Sequence, residues 1–325
     1  MHAFVTGGSG FVGPNLIEQL LAKGWTVTAL HRPSSDTSLL KKLGAELTVG
    51  SIGDIDSLRA AMPENIDAVF HVAGNTSLWS QNDQQQDRDN IDGTANMVKV
   101  ALEKKAGRFI QTSSVSAYGF HENRITESSP STALVSKVNY LKSKYLAEEK
   151  VREGIKQGLD AVILNPCGII GPYDQHNWSQ LFTLVKDDNL PGIPPGSGSF
   201  CHVREVAAAH IAAYECGKTG ENYLLAGTDA HFEELIHQIG AIISKPVNAK
   251  VMPPLILKIV AKVQNWISRY TKKEPDLTPE KVALITRRVV ASCSKAVTEL
   301  NYNDQVPLND MLEDCYQWMK SEGRI

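Results

Sequence analysis

The sequence predicts an α/β fold, a doubly wound parallel sheet followed by a smaller, mostly helical C-terminal unit. Three observations predict it. Over the first half, short apolar runs alternate with helical patterns, as in a parallel sheet covered on both faces. The chain has 325 residues, 42% hydrophobic and 21% charged, enough to bury a large core and too apolar for disorder. After Pro166 the alternation loosens, and from His231 the pattern is mostly helical.

Residues 3–5 read as a strand ending in Gly7 and Gly8. Residues 12–23 are helical, with Leu16, Leu20 and Leu21 on one face. Strands at 26–30 and 46–49 flank a short helix at 39–43. A helix at 57–62 leads to a strand at 68–72, and one at 94–105 to a strand at 108–112. A long helix at 138–153 leads to a strand at 161–164. Right-handed crossovers make this a doubly wound sheet. Beyond it lie a Pro/Gly-rich loop at 191–198, short strands at 200–203 and 223–225, and an Ala-rich helix at 206–216. Leu255, Ile256, Ile259, Val260, Val263 and Ile267 have helical spacing. They read as a helix packed over a cleft rather than one lying on a membrane.

Composition excludes several roles. Lys and Arg number 33 and Asp and Glu 36, a net charge of −3. A general binder of nucleic acid or anionic membranes needs a basic surplus. No apolar run is long enough to span a membrane. Cys167, Cys201, Cys216, Cys293 and Cys315 show no C-x-x-C spacing and no His-rich neighbourhood. No metal site is expected, and a reducing, cytoplasmic setting fits. The N-terminus shows no basic region followed by an apolar one, so no secretory leader is read.

Thr6-Gly7-Gly8-Ser9-Gly10-Phe11-Val12-Gly13 joins the first strand to the first helix. Gly7, Gly10 and Gly13 allow a tight turn and close approach to a pyrophosphate. The helix beyond, beginning at Phe11 and Val12, offers free N–H groups and a positive dipole end. Tyr140 and Lys144 stand four apart on the long helix, so their polar heads share a face. A free phenol has a pKa of about 10; a nearby ammonium lowers it and suits the Tyr to proton transfer. Tyr214 with Lys218 and Tyr316 with Lys320 repeat the spacing. Only Tyr140 follows the strand end Thr112-Ser113-Ser114 and precedes the strand at 161–164.

Together these segments resemble the extended branch of the short-chain dehydrogenase/reductase superfamily. The likeness runs through His71-Val72-Ala73-Gly74, Asn90-Ile91-Asp92-Gly93-Thr94 and Asn165-Pro166-Cys167-Gly168-Ile169-Ile170-Gly171-Pro172 to the segment from Ser294 to Trp318. The closest look is of dihydroflavonol 4-reductase-like proteins, on Arg32, Trp79 and the helical tail. The resemblance implies a Rossmann nucleotide-binding unit over 1–168 and 201–228, and a substrate-binding unit over 169–200 and 229–325. It implies Ser114 (Ser113 as fallback), Tyr140 and Lys144 as the catalytic group, with Asn90 supporting a water relay. The cofactor would meet Gly7, Gly10, Phe11, Val12, Gly13, Arg32, Ser51, Ile52, Ala73, Tyr140, Lys144 and Pro166. At the second strand end stands Arg32, with Ser34 and Ser35 near it, and no carboxylate until Asp36. An Arg there pairs with a 2′-phosphate, so NADP(H) is expected. Ser51 stands where relatives often carry Asp for adenine, and Asn165 replaces their usual Arg.

Trp79, Ser114, Tyr118, Tyr173 and Trp178 are the candidate substrate contacts, with Phe200 as a further lining residue. They suggest an aryl or alicyclic carbonyl reduced by NADPH. A sugar-nucleotide epimerase is the alternative. Gly198 stands where epimerases place a diphosphate-binding Arg, though Arg204 or Arg287 could substitute. A dehydratase is disfavoured because Val115 and Ser116 occupy the places of its acid–base carboxylates. Helices near Thr94 and Val138 pair subunits in many relatives, so a homodimer is possible.

Overall fold

A computed structural model describes residues 1–325. The first half follows the expected alternation. It runs β1 (His2–Thr6), α1 (Val12–Ala22), β2 (Thr26–His31), α2 (Ser38–Leu43), β3 (Glu46–Val49), α3 (Ile55–Ala61) and β4 (Ala68–His71). Then come α4 (Asp83–Asp87), a π-helical turn (Arg88–Asp92), α5 (Gly93–Glu103), β5 (Arg108–Thr112), α6 (Asn139–Lys156) and β6 (Ala161–Pro166). The second half contributes β7 (Gly168–Ile170), α7 (Gln180–Lys186), β8 (Ser197–His202), α8 (Val203–Cys216), β9 (Asn222–Leu225) and β10 (Thr228–His231). It ends with α9 (Phe232–Ile242), α10 (Pro254–Thr271), α11 (Pro279–Ile285), β11 (Arg288–Val289), α12 (Ser294–Leu300) and α13 (Leu308–Ser321).

The main sheet is all parallel, in the order β3-β2-β1-β4-β5-β6-β9. It is a Rossmann-like sheet, and strand period two explains its two cores. Ala3 and Val5 point into a cluster with Leu16, Ile17, Val206 and Ile211 of α1 and α8. Phe4 and Phe109 point the other way, toward Met97, Val98 and Val151 of α5 and α6. Each fully buried side chain of this size contributes roughly 1.5–3 kcal/mol. Local signals set the ends. Asp54 caps α3 by accepting from the Asp56 and Ser57 amides, and α2 stops at Gly44 with φ of 90°.

The second half differs from expectation in two places. A four-stranded sheet of β7, β8, β10 and β11 forms there, of which the sequence suggested only 200–203. Within that span, Val203 opens α8 instead of ending a strand, because His202 accepts the Arg204 amide and caps the helix. The unit boundary drawn before residue 201 falls inside β8. Trp178, Phe182, Phe200, Phe232 and Leu312 pack the core of this half. The helix at 254–271 forms, but it is not a buried cover: only Leu257, Ala261 and Ser268 are buried.

Candidate active site

The phosphate loop is built by close contacts. Gly7 has φ of 73°, and a Cβ there would lie 2.6 Å from the Ala73 amide nitrogen. A Cβ on Gly13 would lie 2.2 Å from the Gly7 carbonyl oxygen. Gly10 is roomier: its amide donates to the Gly7 carbonyl at 3.0 Å, and a Cβ would meet only that oxygen, at 3.2 Å. Behind the loop, Thr6 Oγ1 lies 2.7 Å from His71 Nδ1 and accepts the Ala73 amide at 3.2 Å. His71 Nε2 lies 3.2 Å from Thr94 Oγ1. Burial, helped by the Lys144 charge, holds His71 down to about 3, so the imidazole is neutral.

Ser114, Tyr140 and Lys144 come together at the ends of β5 and α6. The Ser114 side chain stands close enough to the Tyr140 phenol to act on it. Burial raises that phenol, and the Ser114 side chain pulls it back in part. The expected lowering by Lys144 is therefore not what dominates. Lys144 is buried, and its Nζ donates to the Thr112 carbonyl at 3.1 Å. Burial brings it down to about 8, opposed by Glu148. A Cβ on Gly74 would stand 3.3 Å from Lys144 Nζ and 3.5 Å from Asn90 Oδ1.

Asn90 sits in the π-helical turn, a feature frequent at functional sites. Its Nδ2 donates to the Asn75 carbonyl at 2.9 Å and to Ser143 Oγ at 3.0 Å, and its Oδ1 accepts the Asn75 amide at 2.7 Å. Its side chain thus clamps the 74–75 loop to α6. Ser113 is occupied elsewhere, donating to Glu148 Oε1 at 2.5 Å.

That bond opens a buried network missed in the sequence. Asn165 Nδ2 donates to Glu148 Oε1 at 2.6 Å and to the Ser114 carbonyl at 3.0 Å. Asn222 Nδ2 donates to Glu148 Oε2 at 3.0 Å and to Asn165 Oδ1 at 2.8 Å. Arg152 pairs with Glu148 at 3.2 Å. Asn165, at the position where the resemblance implied an Arg, thus holds the backbone of Ser114. One signal was available: Glu148 continues the i, i+4 row of Tyr140 and Lys144.

The candidate substrate residues separate. Trp79 is buried, and its indole N–H has no partner. Its neighbour Leu78 packs with Tyr140, Phe120 and Leu284 around Val138 and Leu141. Three others are taken up elsewhere. Tyr118 is buried in the main core. Tyr173 donates to Glu18 Oε1 at 2.6 Å and stands against Trp318. Trp178 packs on Phe200 and Phe232, which also commits Phe200 to the core. The two duplicate Tyr/Lys pairs are also structural: Tyr214 packs on Trp25, and Tyr316 stacks on Phe182.

Of the remaining cofactor candidates, Arg32 is exposed, with its carbonyl accepting the Ser35 amide. Ser51 Oγ accepts the Gly53 amide at 3.3 Å, and Ile52 lies against Gly93 at the start of α5. Pro166 ends β6 beside Leu225. Cys167 next to it is pushed well up by burial, which suits packing and not nucleophilic attack.

A family model described as "NAD dependent epimerase/dehydratase family" matches residues 3–226. The chain belongs to this family. The "Putative dihydroflavonol 4-reductase" of Synechocystis sp. is 31% identical over 99% of this chain and 95% of its own length. The crystal structure of gox2253 is 32% identical, covers 99% of both chains and superposes with a TM-score of 0.85. The UDP-glucuronic acid 4-epimerase of Bacillus cereus in complex with NAD is 21% identical over 99% of both chains, with a TM-score of 0.78, a likeness of fold. Members of the family are oxidoreductases, epimerases and dehydratases that bind a nicotinamide cofactor. The loop here fits such a group. Phe11 makes no side-chain cap, and the first turn of α1 carries no acidic residue. Its amides are left for an anion.

Proposed function

We propose that the protein is an NADPH-dependent reductase of a ketone or aldehyde. The observation that carries this reading is the gathering of Ser114 and Tyr140 beside the buried Lys144. When bound, the nicotinamide supplies hydride. Ser114 donates to the carbonyl oxygen and fixes its position. Tyr140 delivers the proton to that oxygen. Its phenol, raised by burial, holds its proton at neutral pH, the state that a donor in the reductive direction needs. Lys144 stands to hold the cofactor ribose, and the loop from Gly7 to Gly13 its pyrophosphate. Arg32, exposed and free of a carboxylate, supports the choice of NADP(H). Leu78, Phe120 and Leu284, which pack on the same small cluster as Tyr140, favour an apolar carbonyl compound. Five free cysteines favour a cytoplasmic setting.

One observation keeps the epimerase as a second reading. Arg287 lies 3.9 Å over the Phe120 ring, near Tyr140's packing partners, and carries no ion pair. It could take a nucleotide diphosphate. Arg204 is committed to Asp314 at 3.0 Å.

The test is NADPH consumption against a panel of ketones and aldehydes, with NADH beside it. Turnover should prefer NADPH. Tyr140→Phe should lower kcat by at least about a hundredfold while NADPH binding is kept. Arg32→Ala should weaken NADPH, but not NADH, by about tenfold or more. Conversion of sugar nucleotides without carbonyl reduction would replace this reading with the epimerase.

A further inference from the structure

The helix α10 carries three stripes. At about 100° per residue, Leu257, Ala261 and Ser268 form the buried one, facing Val282 of α11. Lys258, Lys262 and Arg269 form a second. Leu255, Ile256, Ile259, Val260, Val263, Trp266, Ile267 and Tyr270 form the third, an outer arc of about 140°. All eight are exposed; Leu255 is 68% accessible, Trp266 60% and Tyr270 74%. Most of the protein's exposed large hydrophobic side chains are thus gathered on one helix.

Charge says what would cover this arc. Residues 254–273 contain five cations (Lys258, Lys262, Arg269, Lys272 and Lys273) and no carboxylate, in a chain whose net charge is −3. None of the five is paired with a carboxylate. The whole-chain balance therefore hides a local basic surplus. A second copy docked here about a two-fold axis would bring two such cation clusters together. An anionic bilayer instead accepts the apolar arc below its headgroups and the ammonium groups at their level. Trp266 and Tyr270, packed edge-on at 5.3 Å, are the amphipathic rings favoured at that boundary.

We propose that α10 lies in the plane of an anionic lipid surface and holds the protein there as a peripheral enzyme. Nothing in it spans the bilayer: no helix is long and apolar enough. The proposal is independent of the reductase reading. It also gives the approach to the active site a direction, because Ala283 and Leu284 of α11 pack against the cluster that holds Tyr140.

The full chain would be sedimented with vesicles of phosphatidylcholine containing about a third phosphatidylglycerol, and with pure phosphatidylcholine. Binding to the anionic vesicles is expected, at least about tenfold stronger than to the neutral ones and weakened by salt. Trp266 fluorescence should shift to the blue on binding, and Trp266→Phe should lose that shift. Ile259→Gln/Val263→Gln/Trp266→Gln, all at exposed positions, should keep the far-ultraviolet circular dichroism and lose vesicle binding. Lys258→Glu/Lys262→Glu should lose the anionic preference. Wild-type protein left in the supernatant with both vesicles would overturn the proposal. So would a triple variant that binds as well as wild type, or a solution dimer that the triple variant dissociates.

Discussion

Lys144 opposes stability in the place where it is needed. Its folded pKa, about 8, lies below the 10.5 of a free lysine. Between those values the unfolded chain holds more protons, so stability rises with pH through that window. At neutral pH the buried charge costs on the order of 3 kcal/mol. Lys144→Met should raise the urea midpoint at pH 7, flatten its rise above pH 8 and abolish turnover. A lower midpoint at pH 7 would show that the bond to the Thr112 carbonyl outweighs the desolvation. Tyr140, Lys144 and Ser114 were legible because helical spacing and position along the chain place them. The direction of the Tyr140 shift was not, because burial at the junction of β5 and α6 is a property of packing. The packing of Tyr118, Tyr173 and Trp178 was not legible for a related reason. An aromatic residue near a motif fills core as readily as cleft, and the bond of Tyr173 to Glu18 and the tilted packing of Trp178 on Phe232 are tertiary contacts with no local signal.

Among elements, the phosphate loop separates structural from ligand-facing glycine. Gly13→Ala puts a methyl 2.2 Å from the Gly7 carbonyl, so backbone must move, and a loss of about 1–3 kcal/mol is expected. Gly10→Ala meets one atom, at 3.2 Å. It should stay within roughly 0.5 kcal/mol of wild type while cofactor affinity falls. Chemical denaturation beside cofactor titration distinguishes the two. Equal losses of stability would mean that the loop packs as one unit. The main sheet was readable because β1, β4 and β6 each carry an apolar run of three or four residues between turn signals, and β5 follows the same alternation with helices. The second sheet was not. Its strands β7 and β11 have three and two residues, and β8 is Ser-Gly-Ser-Phe-Cys-His, with neither alternation nor β-branched residues. The Glu148 network escaped for another reason: although Glu148 and Arg152 lie on the row of Tyr140 and Lys144, Asn165 and Asn222 stand 17 and 74 residues from Glu148, and no local pattern joins them to it.

For the whole molecule, acid should be the weak side. His71 and His210 are both buried and neutral, held down to about 3 and about 4. His210 joins α8 to β5 through Thr112 Oγ1 at 2.7 Å. With folded pKa values below the 6.5 of a free imidazole, stability is complete above 6.5 and is lost as pH falls toward the folded values. Asp83, raised to about 6 by burial with help from Glu280 and Asp87, works the other way from a half-exposed position. The two histidines dominate, and a net loss of several kcal/mol by pH 4 is expected from urea titrations. His210→Gln should lessen it; an unchanged profile would place the acid sensitivity elsewhere. The strand order has a kinetic consequence. The last strand of the main sheet, β9, enters beside β6 only after α8 has been made, and it carries Asn222. During synthesis, domains form from the N-terminal end. The segments bearing Ser114 and Tyr140 therefore leave the ribosome well before the amide that completes the support of Ser114 through Glu148 and Asn165. A nascent chain would hold the side chains proposed for catalysis before it holds their alignment, and competence would arrive with the closing strand.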